Sequence, residues 1–334
     1  MTAISILGAG SWGTALAVLL AERQPTLWDF DAEHGGILRA TRSSPRYLPG
    51  VRLPLGVDVT DDLAAALQGA DVLVVATPSH TVRELARRVR RTSGFSARQL
   101  VVNVAKGLEE ATAKRMSEIL AEELPQAPGR IVSLVGPSHA EEVARLMPTT
   151  VVVAGTDPEV LREVQELFST ETFRVYTNTD LVGAELAVSV KNVIAIAAGI
   201  CDGLGFGDNT KGALLTRGLA EMARLGLALG GRPETFAGLA GLGDLVTTAT
   251  SRHSRNRNLG EAIGRGQALE KALAAMTQVA EGVRTTRAVL QLARRLGVEM
   301  PITAQVYEVL FEGKEPKQAI RDLMLRAPKA ETWS

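Results

Sequence analysis

The first half of the chain alternates short apolar runs with stretches whose apolar residues recur every three or four positions. Residues 3–10 (AISILGAG), 25–31 (PTLWDFD), 70–79 (ADVLVVATPS), 99–107 (QLVVNVAKG), 130–138 (RIVSLVGPS), 149–156 (TTVVVAGT) and 173–180 (FRVYTNTD) are predicted strands. Most are apolar without alternation, the pattern of strands buried on both faces. Between many of them lie predicted helices, TALAVLLAER, TVRELARRVR, AKRMSEILAEEL and PEVLREVQELF. Strand–helix alternation of this kind predicts an α/β fold with a mainly parallel sheet. From Leu181 onward the pattern is helical, with glycine or proline between segments such as LVGAELAVSVKNVIAIAAGICDG and EGVRTTRAVLQLARRLG. The expected organisation is therefore an α/β domain over residues 1–180 and an all-helical domain over 181–334.

The first strand runs into Gly8-Ala9-Gly10-Ser11-Trp12-Gly13, a G-x-G-x-x-G turn that opens a helix. In that context each glycine has its own task. Gly8 permits the tight turn, Gly10 lets a pyrophosphate approach the backbone, and Gly13 allows close helix–strand packing. The helix start offers unpaired N–H groups to the phosphates. A Rossmann-like dinucleotide site is the reading. Asp29, at the end of the second strand, lies 21 residues past Gly8 (29 − 8). A carboxylate there would accept hydrogen bonds from the ribose hydroxyls and repel a 2′-phosphate, favouring NAD over NADP. The plainer alternative is a strand-end cap. Arg39, Arg42 and Arg46 are near enough in sequence to hold a 2′-phosphate, so both NAD and NADP stay in view.

Lys191 poses a different problem. Ala187, Val188, Ile194 and Ala195 stand three and four positions from it, where a surface helix would place polar residues. Burying an ammonium without partners costs several kcal/mol or more, roughly. The charge therefore has either a partner or a chemical task.

Composition narrows the classes. The formal net charge is zero, which gives no reason to expect a nucleic-acid partner. The single cysteine, Cys201, excludes an intramolecular disulfide and fits a reducing compartment. No apolar stretch is expected to reach the roughly 18 residues of a membrane span, so no stable membrane insertion is expected. The N-terminal stretch lacks a basic leader and reads as a cytoplasmic start. The four histidines form no metal-ligand cluster, so no metal is expected. The apolar helical half is compatible with a homodimer.

Taken together, the stretches GAGSWGTALA, RYLPG, AKGLE, GPSHAEEVA, VKNVIAIAAG, GLGDLVTT, SRNRNLG and VAEGVRTT resemble the bacterial-type NAD(P)-dependent sn-glycerol-3-phosphate dehydrogenases. They span nearly the whole chain, and their ordered set is specific. The resemblance implies a Rossmann-like domain followed by a helical substrate domain. It also implies an oxidoreductase that moves a hydride between NAD(P)H and C2 of dihydroxyacetone phosphate, giving sn-glycerol 3-phosphate for phospholipid synthesis. The alternative weighed beside it is a related two-domain dehydrogenase of a hydroxy acid or sugar acid. A nicotinamide-binding sensor without catalysis is disfavoured by the joint presence of Lys191, Asp244 and Arg255.

The resemblance also implies roles. Lys191 is the general acid/base, a role that burial suits by lowering a lysine's pKa. Lys106 faces both cofactor and substrate. Gly136, Ser138, Asn192, Asp244, Thr248, Ser254, Arg255 and Asn256 hold the substrate, with Arg255 and Asn256 on its phosphate. Asp244 is expected to pair with Lys191, and Ser254 has the alternative of a helix cap. Ser11, Trp12, Ala140, Arg255, Val279 and Glu281 touch the cofactor, beside Gly8, Gly10, Gly13 and Asp29. Arg257 is expected at the surface. The chain departs from the family where Phe30 replaces a basic residue that helps hold NADP's extra phosphate. Together with Asp29 this leans the expectation toward NAD.

Overall fold

The computed structural model describes residues 2–96, 98–124, 129–276, 278–328 and 330–331. The chain forms two compact units, one from Met1–Lys106 with Met116–Leu181, the other from Gly107–Arg115 with Val182–Ser334.

The first unit holds ten strands among its described residues: β1 (Ile4–Leu7), β2 (Thr26–Trp28), β3 (Ser43–Ser44), β4 (Leu48–Arg52), β5 (Asp58–Thr60), β6 (Val72–Val75), β7 (Leu100–Asn103), β8 (Ile131–Val135), β9 (Thr149–Ala154) and β10 (Phe173–Asn178). Eight form one sheet in the order β10-β9-β8-β7-β6-β1-β2-β5. Every pairing in it is parallel except β8 with β9. Renumbered by their place in the sheet, β5-β2-β1-β6-β7-β8 run 3-2-1-4-5-6, the order of dinucleotide-binding sheets. The sheet is covered by α1 (Ser11–Leu19), α2 (Ala32–Thr41), α3 (Leu63–Leu67), α4 (Val82–Arg91), α5 (Met116–Glu123), α6 (Ala140–Val143) and α7 (Pro158–Phe168). β1, β6, β7 and β8 are buried along their whole length, which explains why they are mostly apolar without alternation.

Several short elements lie outside that pattern. β5 is a three-residue edge strand, and β3 with β4 forms a short antiparallel hairpin interrupted by a register shift. α2 carries Gly35 and Gly36 and mixes polar with apolar residues. What starts it is Asp31, whose carboxylate accepts the N–H groups of Glu33 and His34.

The second unit holds α8 (Leu181–Gly203), α9 (Asp208–Ala228), α10 (Pro233–Ala237), α11 (Asp244–Thr250), α12 (Arg255–Gly264), α13 (Leu269–Ala274), α14 (Glu281–Leu296), α15 (Pro301–Phe311) and α16 (Pro316–Met324). Contrary to the sequence expectation, one helix among the described residues is long and apolar enough to span a bilayer. α8 has 23 residues, and 89% of its most apolar stretch is buried inside the protein. Burial on all sides makes it a core helix, and a core helix needs the same apolar residues as a membrane span.

α8 and α12 meet through glycines spaced four apart on both helices, Gly199 with Gly203 and Gly260 with Gly264. A Cβ at any of the four would strike the facing helix backbone. The close approach is locked by charge. Asp202 on α8 receives Arg257 of α12 at 2.7 Å and Lys211 of α9 at 2.5 Å. Arg257 also meets Glu261 at 3.1 Å. Arg257 is thus an internal strut and not the surface residue expected. The Gly107–Arg115 stretch is fastened to α8 by Arg115 and the buried Glu185, 2.9 Å apart.

Candidate active site

In the first unit, β1 delivers the chain into the glycine turn. Gly8 has φ +121°, and a Cβ there would lie 2.8 Å from Ala76 O. Gly13 packs on the Gly8 carbonyl so closely that no side chain fits, whereas a Cβ on Gly10 would enter open space. The turn therefore leaves open space at Gly10, the glycine expected to face a pyrophosphate. α1 begins there at Ser11 without a side-chain cap from Gly10, and a helix start is a natural anion site. Trp12 Nε1 and Thr77 Oγ1 are buried without a hydrogen-bond partner among the described residues. An open cradle, an uncapped helix start and two unspent polar atoms fit an anionic dinucleotide. Thr77 carried no sequence motif. It enters because β6 ends beside β1 and its methyl packs on Gly8.

Asp29 does not stand open at the end of β2. It is 3% exposed, and its Oδ2 accepts a hydrogen bond from His34 Nδ1. Its Oδ1 accepts the N–H of Asp31 at 3.1 Å. The residue expected to read the ribose is thus buried, because α2 turns His34 back onto it. Phe30, the next residue, is 69% exposed.

Lys106, Gly136 and Ser138 come together at the ends of β7 and β8. Lys106 Nζ donates to Gly136 O at 2.8 Å, and Ser138 Oγ donates to the same oxygen at 2.9 Å. The approach to Lys106 is shaped by Asn103, fully buried, whose amide donates to Ala105 O and Ser133 Oγ and whose Oδ1 accepts the Ala105 N–H, each at 3.1 Å. Ala140 opens α6, which packs against α1.

In the second unit the question raised by Lys191 is answered. Lys191 is 4% exposed, and its Nζ lies 2.9 Å from Asp244 Oδ1. It also donates to Thr248 Oγ1, whose hydroxyl donates to Asp244 Oδ1 at 3.3 Å. Asp244, 2% exposed, is the first residue of α11, delivered by a π-turn over Leu239–Gly243. One carboxylate and one hydroxyl thus hold the ammonium at a fixed point inside an apolar helix, which offsets its desolvation.

Around α12 the remaining residues gather. Ser254 caps the helix, accepting the Arg257 N–H at 3.2 Å, so its side chain serves the helix start. Arg255 is the first residue of α12 and is exposed. Asn256 is buried, and its Oδ1 accepts the Gly282 N–H at 2.9 Å. A Cβ on Gly282 would lie 2.8 Å from both Asn256 Oδ1 and Asn192 O, so the turn after Lys191, α12 and the start of α14 are in contact. Glu281 opens α14 beside Gly282, while Val279 is exposed on the loop before it. A guanidinium and backbone N–H groups at one helix start suit a phosphate.

Residues 3–161 match the model for the NAD-dependent glycerol-3-phosphate dehydrogenase N-terminus, and residues 180–321 match that for its C-terminus. The chain belongs to the NAD-dependent glycerol-3-phosphate dehydrogenase family. A "Glycerol-3-phosphate dehydrogenase [NAD(P)+]" of Chlorobium phaeobacteroides is 54% identical over 331 residues, covering 98% of each chain. One of Geobacillus thermodenitrificans is 52% identical over 334 residues, 99% of this chain and 97% of that one. A crystal structure of glycerol-3-phosphate dehydrogenase from Coxiella burnetii is 41% identical, with TM-score 0.93 over 97% of this chain and 99% of that one. Membership in this family disfavours the hydroxy-acid or sugar-acid alternative.

Proposed function

We propose that this chain reduces dihydroxyacetone phosphate to sn-glycerol 3-phosphate with NADH or NADPH, supplying the glycerol backbone of phospholipids. The observation that carries the chemical assignment is the buried Lys191–Asp244–Thr248 cluster. When bound, the reduced nicotinamide supplies the hydride that adds to the C2 carbonyl. Lys191 gives its proton to the C2 oxygen as the C–H bond forms, and the neutral amine regains a proton from solvent. Asp244 stabilises the ammonium before transfer and fixes its direction. Thr248 holds the two in register. Arg255, with Asn256 and the start of α12, takes the substrate phosphate. Lys106, with the Gly136 and Ser138 loop, supplies a second cation toward cofactor and substrate, and Asn192 donates to the substrate. The glycine turn, Ser11, Trp12, Ala140, Val279 and Glu281 serve the cofactor. Phe30 brings no charge to a 2′-phosphate, which leans the preference to NAD.

We further propose that the protein acts in the cytoplasm as a homodimer, without membrane insertion. The burial of α8 supports the last point.

Initial rates with dihydroxyacetone phosphate and with unphosphorylated dihydroxyacetone test the substrate assignment. The phosphorylated ketone is expected to be turned over and the other to be a very poor substrate. Arg255→Ala is expected to raise KM for the phosphorylated ketone at least tenfold. A change below twofold would remove Arg255 from the phosphate site.

A further inference from the structure

We propose that Arg46 is the residue that receives the 2′-phosphate of an NADP-type cofactor, and that the burial of Asp29 against His34 is what leaves this site open to that phosphate. The inference rests on the reading of the first unit as the dinucleotide-binding one. In such sheets the adenosine ribose sits at the end of β2, where an acid excludes a 2′-phosphate and a nearby arginine admits it. Here the acid is spent. Both Asp29 oxygens are engaged within the protein, one by His34 and one by the Asp31 N–H, and the residue is all but sealed from solvent.

Of the three arginines near the strand end, two have structural tasks. Arg39 is bound to Asp61 at 2.8 Å. Arg42 donates to the carbonyls of Pro54 and Val57, which ties the β4–β5 connection to α2. Arg46 differs from both. Its side chain is 60% exposed, rests over the Tyr47 ring at 5.1 Å, and stands 3.9 Å from Asp31, beyond the 2.7–2.9 Å of a charge-assisted hydrogen bond. Its guanidinium is therefore the one of the three that a phosphate can draw in with two parallel hydrogen bonds and little loss elsewhere.

The backbone that carries Arg46 is held on the side where the phosphate would lie. Ser11, in the glycine turn, donates to Tyr47 O at 2.5 Å. The Tyr47 ring meets the His34 ring edge-on, 4.8 Å between centroids at 86°. Ser44 Oγ lies 3.0 Å from His34 Nε2 and accepts the Tyr47 N–H at 3.4 Å. His34 thus does two things. It withdraws Asp29, and it helps seat the β3–β4 hairpin whose tip is Arg46.

Binding of adenosine 2′,5′-bisphosphate and of 5′-AMP, measured by calorimetry on the purified chain, tests this without turnover. The wild type is expected to bind both. Arg46→Ala is expected to weaken the bisphosphate at least tenfold while changing 5′-AMP less than twofold. Arg46→Lys is expected to fall between, and Arg39→Ala to leave the ratio of the two constants within twofold. Asn at position 29 can still hold His34, so Asp29→Asn is expected to leave that ratio within twofold as well. Equal weakening of both probes by Arg46→Ala overturns the inference, as does a tenfold gain for the bisphosphate in Asp29→Asn. Wild-type protein that binds NADH and 5′-AMP but not the bisphosphate overturns it and leaves the dinucleotide reading standing. Failure to bind NADH or either probe overturns that reading too.

Discussion

Lys191 and Asp244 each solve the other's desolvation problem, so their chemical and structural contributions must be separated experimentally. Lys191→Met keeps the apolar stem and removes the ammonium. On the proposed mechanism kcat falls about 10²–10⁴-fold, the usual scale of general acid catalysis, with the NADH dissociation constant unchanged. The same change leaves the Asp244 carboxylate buried alone, at a cost of about 3–5 kcal/mol. The double variant Lys191→Met with Asp244→Asn is expected to recover most of that stability in denaturant titrations and none of the turnover. Recovery of turnover would move the acid/base role elsewhere. Cys201 supplies a second check at this scale. Burial pushes its thiol up to about 11, so the native protein should resist alkylation at pH 8 and react once unfolded.

Among the elements, what was legible in the sequence was what depends on local pattern. The buried strands announced themselves as apolar runs, and α7 and α8 begin and end where their periodicity does. Lys191 was legible as an anomaly, since a charge amid valine and isoleucine demands a reason. Features made by distant segments were not. Nothing near Asp29 foretells that α2 will return His34 to it, because that contact depends on the angle at which α2 leaves the Asp31 cap. Arg257 looked like surface charge because Asp202 lies on another helix. Glu221 likewise carried no motif, yet it caps α15 from α9, its carboxylate accepting the N–H of Ile302 at 2.5 Å and of Thr303 at 3.2 Å. Burial raises it from 4.5 to about 7. A carboxyl raised in the fold favours the folded state most when protonated. Its contribution, on the order of 3 kcal/mol, is full below pH 4.5 and is lost as pH rises through about 7. Glu221→Gln is expected to flatten that part of the stability–pH curve at the steady loss of one cap bond. An unchanged slope in urea titrations would contradict this. The glycine contact of α8 with α12 makes a steric prediction. Gly260→Ala places a methyl against the α8 backbone, which cannot yield as a side chain can, and should cost about 1–3 kcal/mol or more. A melting temperature equal to wild type would contradict it.

For the whole molecule, the two units carry complementary equipment. One offers the cradle for an anionic dinucleotide, with Lys106 at the end of a central strand. The other offers a buried ammonium held by an internal ion pair, and an arginine at a helix start. The family to which the chain belongs accounts for both. Net charge of zero and a core helix of membrane-like composition turned inward match an enzyme of a small metabolite. The most direct measurement is oxidation of NADH and of NADPH, followed in parallel by absorbance, on adding dihydroxyacetone phosphate to the purified protein. The account predicts turnover that requires the phosphorylated ketone, with NADH or NADPH as the hydride donor. Absence of ketone-dependent oxidation with either cofactor would contradict it.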